Sequence, residues 1–273
     1  MSDSSKPNKA VILARGLGSR MRRESDEASL TKEQSAAADQ GVKAMISFGR
    51  PFLDYVISGL ADAGYDDICL VIGPEHDIIR DYYDSIPKSR VKISYAIQEE
   101  PLGTANAVLA AEEFAGEDAV VVLNSDNYYP VDAYRALHEL DGSGLIGFDP
   151  EALIEKSNIA ADRVGAFAFV VADADGNMEE IVEKPDAQTI ARLGDEAVVS
   201  MNLWRFTPAI FAAAKQVPLS TRGEYELQDA VRQAIADGDP FTVVPLAEGV
   251  LDMSNRDDIA SVADALNELE VVL

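Results

Sequence analysis

The stretch Lys9-Ala10-Val11-Ile12-Leu13-Ala14-Arg15-Gly16-Leu17-Gly18-Ser19-Arg20 decides the fold. Residues 9–14 form a short apolar run that ends at glycines, so they are read as a buried strand followed by a turn. Glycines placed there let the backbone approach an anion and aim N–H groups at it. Gly16 and Gly18 alone do not say which phosphate loop this is. A dinucleotide fold wants a third glycine where Met21 stands, and a helix at once. A P-loop wants Gly-Lys-Ser/Thr to close the loop, and the sequence lacks it. What stands here is Gly16-x-Gly18-Ser19-Arg20-Met21, followed by a polar stretch over residues 21–41.

Working outward, residues 21–41 read as an exposed excursion with a short helix after Ser29 or Thr31. Phe52, Leu53, Val56, Ile57 and Leu60 recur at helical spacing over residues 51–63, with Gly64 as a C-cap. Strands are expected at 68–72, 91–97 and 119–123, and helices at 77–83, 104–114 and 131–140. This alternation predicts a doubly wound, mostly parallel α/β sheet with helices on both faces. After Gly142 the pattern changes. Strand-like runs follow at 144–148, 165–171, 178–182 and 198–205, with a hairpin turn at Asp173-Ala174-Asp175-Gly176-Asn177. Helices return at 208–215, 227–236 and 256–268.

The charge excludes one class of function. With 48 acidic against 23 basic residues the net charge is −25, and a nucleic-acid binder needs a basic footprint. The acidic residues are dispersed, which reads as a solvated surface suited to high salt. The start of the chain, residues 1–8, lacks an apolar signal core, and no apolar run reaches membrane-spanning length. Cys69 is alone, so no internal disulfide and no zinc cluster are expected. The expectation is a cytoplasmic protein that binds neither nucleic acid nor membrane. His76 and His138 receive no role.

Further segments then fall in a fixed order: Val42-Lys43-Ala44-Met45, Gln98-Glu99-Glu100-Pro101-Leu102-Gly103-Thr104-Ala105, Leu123-Asn124-Ser125-Asp126-Asn127 and Glu183-Lys184-Pro185. With the glycine loop, this series resembles the sugar-1-phosphate nucleotidyltransferases, from Lys9 to about Asp258. Gly223-Glu224-Tyr225-Glu226-Leu227-Gln228-Asp229 and Leu251-Asp252 are weaker matches. The resemblance implies a Rossmann-like nucleotide-diphospho-sugar transferase fold in a single domain, residues 1–273. Residues 9–141 would form the nucleotide-binding half and 142–258 the sugar-binding half, with 259–273 a C-terminal helix.

It implies Mg²⁺-dependent transfer of a nucleotidyl group from a nucleoside triphosphate to a sugar 1-phosphate. The phosphate nucleophile is already ionised near neutral pH, so positioning and cations carry the reaction. Arg20 would fork onto the β- and γ-phosphates, and Lys43 would place a compact charge at the α-phosphate. Leu13, Ala14, Gly16, Gly18, Ser19, Gln98, Gly103 and Thr104 would hold the nucleotide. Asp126 and Asp252 would hold Mg²⁺ through oxygen. Gly165, Glu183, Lys184, Asn202 and Trp204 would hold the sugar phosphate, Trp204 by stacking or else as core. Gln98 carries an amide suited to the imide edge of uracil or thymine, which favours UTP or dTTP.

Arg15, Val42 and Ser125 depart from the pattern, and Arg15 would either add a phosphate contact or obstruct the base. Two other readings stay open: a CTP-dependent transferase of a non-sugar phosphate, and a non-catalytic homologue that binds a nucleotide sugar. A homo-oligomer is compatible with the sequence.

Overall fold

The computed structural model describes residues 8–16, 18, 21, 34 and 42–273. Leu17, Ser19 and Arg20 of the glycine loop lie outside the described residues. So does the expected helix after Ser29 or Thr31, apart from Gln34.

Eleven strands are present among the described residues: β1 (Lys9–Leu13), β2 (Asp67–Ile72), β3 (Lys92–Ile97), β4 (Val120–Asn124), β5 (Asn127–Tyr128), β6 (Ser143–Phe148), β7 (Ala168–Ala172), β8 (Met178–Glu183), β9 (Val198–Phe206), β10 (Phe241–Leu246) and β11 (Leu251–Asp252). Nine make one sheet in the order β10-β6-β9-β4-β1-β2-β3, with β7 on β9 and β8 on β7. Strands β3, β2, β1 and β4 are parallel, as are β10 and β6. Strand β9 runs antiparallel between β4 and β6. The sheet is therefore mostly parallel and mixed, as the strand–helix alternation predicts.

Successive residues of a strand face opposite sides of a sheet. In β1, Ala10 and Ile12 enter one apolar core while Val11 enters the other. In β2, Leu70 and Ile72 oppose Cys69 and Val71 in the same way. Both faces are covered, which is why these strands read as continuous apolar runs rather than as alternation. Helix Phe52–Asp62 supplies Phe52, Val56 and Leu60 to the first core. Helices Thr104–Ala110, Ala209–Ala214 and Leu227–Ala236 cover the other face.

Some boundaries differ from expectation. The helix expected over 104–114 breaks at Ala111, and Glu112–Ala115 forms its own turn. The run from Gly165 is not all strand: Ala161–Val164 is helical and β7 begins at Ala168. Helices Pro150–Lys156 and Ala187–Leu193 also went unread, though Asp149 and Asp186 cap them by accepting from Ala152 N and Thr189 N. Strand β10 was missed because Pro245 weakens a strand pattern; at the edge of a sheet its missing N–H costs no ladder bond.

Candidate active site

The C-terminal ends of β1, β3 and β4 open onto a cavity of about 350 Å³. Ligands of open α/β sheets bind at such strand ends. Leu13, Ala14, Gly16, Gly18, Lys43, Gln98, Gly103, Thr104 and Asp126 all line it. Among the described residues a Cβ added at Gly16 would meet nothing within 4 Å, so the backbone there is open to close approach. Gly18 has φ +58°, a left-handed conformation that glycine adopts without cost.

The turn after β3 is tightly built. Gly103 has φ +106°, and a Cβ there would lie 2.6 Å from Tyr225 O. Tyr225 N donates to Leu102 O at 2.7 Å, and Ala105 N to Tyr225 O at 2.9 Å. The weakly matching segment at Gly223–Asp229 therefore forms the wall behind Gly103. The Thr104 hydroxyl accepts from Leu227 N at 3.0 Å and caps the helix Leu227–Ala236.

Arg15 also lines this cavity, with its guanidinium turned to partners within the protein. Its guanidinium is buried. Nε and Nη2 donate to the Glu75 carboxylate at 3.3 Å each, and Nη1 donates to Gln98 O. Gly73 leaves the room for it, since a Cβ there would come within 2.5 Å of Arg15 Nε. Glu75 is held below the usual carboxylate range by its own backbone N–H and by Arg15.

On the other side of the cavity, Lys43 Nζ lies 2.8 Å from Asp126 Oδ2. Strand β11 pairs antiparallel with β5, placing Asp252 opposite Asn127, and Met253 N donates to Asp126 O at 2.9 Å. Asp126 and Asp252 are thus tied together through the backbone. Asp252 is buried and accepts from Asn127 Nδ2, Ser254 Oγ and Arg163 Nη2. Burial first, and then the charge of Asp126, push its carboxyl up to about 6. Among the described residues no group of three or more His, Cys, Asp or Glu side chains is placed to enclose a metal. Two hard oxygen donors that repel one another suit Mg²⁺, which is commonly held by one or two carboxylates plus substrate phosphates.

The expected sugar-phosphate residues Gly165, Glu183, Lys184, Asn202 and Trp204 do not line this cavity. Glu183 of β8, Ala168 of β7 and Ser200 of β9 form one row across the sheet. Gly165, Lys184 and Asn202 run off the same end of that row. Val122 of β4 lies opposite Trp204, so Asn202 leads toward the same strand end as Asn124. Lys184 and Asn202 both have positive φ, +47° and +58°, and Lys184 N donates to Phe167 O at 3.2 Å. Non-glycine residues in that conformation cost energy and tend to cluster at ligand sites. Glu183 accepts from Gln228 Nε2 at 3.3 Å, and burial raises its carboxyl above the ordinary value despite Lys184.

Trp204 is a correction. Its side chain is fully buried, stacked on Phe206 with centroids 5.7 Å apart and edge-on to Phe241. It belongs to the apolar core, where no sugar face can reach it.

A family model described as nucleotidyl transferase matches residues 9–268. The chain belongs to the nucleotidyl transferase family. This nucleotidyl transferase is 28% identical over 260 residues to the UTP–glucose-1-phosphate uridylyltransferase of Haloferax volcanii, covering 95% of this chain and 96% of that one. It is 29% identical to a glucose-1-phosphate thymidylyltransferase of Streptomyces antibioticus, covering 84% of this chain but 58% of the relative. A UDP-glucose pyrophosphorylase solved with UDP-glucose shares its fold at a TM-score of 0.72 and 16% identity, covering 96% of this chain and 99% of that one. Membership agrees with the ordered motifs and with an enzyme of the sugar-1-phosphate nucleotidyltransferase type.

Sequence reasoning missed four residues that shape the nucleotidyl transferase cavity or its carboxylate pair: Glu75, Asn106, Arg163 and Glu224. None stands in a motif that names it except Glu224, which lies in a weakly matched segment. Among the described residues no helix is long and apolar enough to cross a membrane.

Proposed function

We propose that this nucleotidyl transferase moves a uridylyl or thymidylyl group from UTP or dTTP to a sugar 1-phosphate in the presence of Mg²⁺. One observation carries the reading: a single cavity gathers the glycine loop, the Gln98 turn, Lys43 and Asp126. In the reaction a phosphate oxygen of the sugar 1-phosphate attacks the α-phosphorus. The bond to the β-phosphate oxygen breaks, and pyrophosphate leaves.

The chain's own groups meet the needs of that step. The glycine turn offers close backbone approach to the triphosphate. Lys43 carries a compact ammonium for charge that develops on the transferring phosphoryl group. In this structure that ammonium is engaged by Asp126, so the ion pair must open for Lys43 to meet phosphate. Asp126 and Asp252 would hold Mg²⁺, which would supply further positive charge against the triphosphate. Lys184, at the neighbouring strand end, suits the phosphate of the sugar 1-phosphate. Arg20 is assigned the β- and γ-phosphates on its motif alone.

Pyrophosphate release from pairs of UTP, dTTP, CTP, ATP or GTP with a set of sugar 1-phosphates tests this. Release is expected only with UTP or dTTP and a sugar 1-phosphate. Preference for CTP with a non-sugar phosphate contradicts it.

A further inference from the structure

The Gln98 side chain is held by more than the cavity wall. Its Nε2 donates to Gly103 O at 3.1 Å and to Asn106 Oδ1 at 2.8 Å. A backbone carbonyl can only accept, so Gly103 O decides which end of the amide is nitrogen. Both amide hydrogens are therefore used inside the protein. The Gln98 backbone is clamped as well: its N–H donates to Ile72 O at 2.9 Å, and its carbonyl accepts from Arg15. Among the described residues nothing donates to Gln98 Oε1, and that atom is not sealed from solvent. What remains for a ligand is one acceptor on a side chain that cannot easily turn.

An acceptor alone discriminates between bases. Uracil and thymine present a ring N–H between two carbonyls, which suits it. Cytosine presents a ring-nitrogen lone pair at the same position, so two acceptors would face each other. Gly103 O by itself is a weak constraint, because it also accepts from Ala107 N at 3.1 Å. Asn106 takes the second amide hydrogen and doubles the loss on turning.

We propose that Asn106 is a specificity-determining positioning residue of the base pocket, keeping only the carbonyl oxygen of Gln98 toward the base. Uracil or thymine is thereby accepted and cytosine excluded. The inference rests on the UTP or dTTP reading above and names what enforces it.

The test is calorimetric titration of UTP and of CTP, with Mg²⁺, into the wild-type protein, Asn106→Leu and Asn106→Asp, each checked for an unchanged thermal transition. Wild-type protein is expected to bind UTP at least about tenfold more tightly than CTP, the scale of one hydrogen bond left unmade in a buried site. Asn106→Leu frees an amide hydrogen and is expected to bring the two affinities within about threefold of each other, through gained CTP binding. Asn106→Asp keeps an acceptor and is expected to keep the preference. Asn106→Leu with the wild-type ratio, or Asn106→Asp without it, overturns the proposal while leaving UTP use intact. Wild-type protein that binds neither UTP nor dTTP overturns the parent reading and this one together.

Discussion

The ammonium of Lys43 and the carboxylate of Asp126 form an ion pair at 2.8 Å, with side chains only 16% and 25% exposed. Both residues come from motifs given separate tasks, one toward phosphate and one toward metal. Under the proposed function their pairing couples those tasks: to hold a metal ion, the carboxylate would have to release the ammonium. Lys43→Met is therefore expected to bind Mn²⁺ more tightly than wild type, because the competing cation is gone. The same variant is expected to lose about 10²- to 10³-fold in kcat, the scale of removing one preorganised charge from a transition state. Paramagnetic resonance of Mn²⁺ binding and steady-state turnover read the two effects. Weaker Mn²⁺ binding in Lys43→Met would contradict the exchange.

Asp252 gives a pH dependence. Its carboxyl keeps a proton to about pH 6 in the folded chain, against 3.8 for the ordinary group. The folded state then holds more protons than the unfolded state between those values, so stability falls as pH rises through that window. Two units at about 1.4 kcal/mol each set an upper bound of roughly 3 kcal/mol. In chelator, the stability of wild type minus that of Asp252→Asn, followed by denaturant unfolding, is expected to decline from pH 4 to pH 6 and to be flat above. A flat difference throughout would show that the buried carboxyl titrates normally.

Trp204→Ala removes a fully buried indole from between Phe206 and Phe241. The expected loss of stability is about 3–5 kcal/mol. Trp204→Phe conserves most of the packing and is expected to retain the wild-type KM for the sugar 1-phosphate. A selective rise in that KM, with the thermal transition unchanged, would return Trp204 to the sugar site.

Gly103→Ala tests the base turn. Its φ of +106° is strained for any side chain, and the new methyl would meet Tyr225 O at 2.6 Å. With ψ at 178° this backbone is open essentially to glycine alone, and another residue there costs about 1–3 kcal/mol. UTP affinity is expected to fall at least tenfold, because the turn that carries Gln98 must shift. Unchanged affinity would place the base elsewhere.

The parts legible in the sequence share a physical cause. Strands β1, β2 and β4 are buried on both faces, so their apolar runs announce themselves, and the glycines after β1 mark the phosphate turn. Ordered motifs then located Lys43, Gln98 and Asp126, which the fold brings to one cavity from 83 or fewer residues apart. Trp204 misled because an aromatic residue on a strand looks the same whether it faces a ligand or the core. The second half was harder to read because β9 lies antiparallel between parallel neighbours and β10 is an edge strand with a proline. The partners of Arg15 lie 60 and 83 residues away, a contact that no local pattern encodes.

The central claim is that the α-phosphate of UTP or dTTP is joined to a sugar 1-phosphate. Its most direct measurement follows the label from α-³²P-UTP, incubated with the protein, Mg²⁺ and a set of sugar 1-phosphates. The expected result is label in a UDP-sugar, with unlabelled pyrophosphate released in equal amount. Label recovered only as UTP or UMP with every sugar 1-phosphate, from protein shown to be folded and to bind UTP, would contradict it.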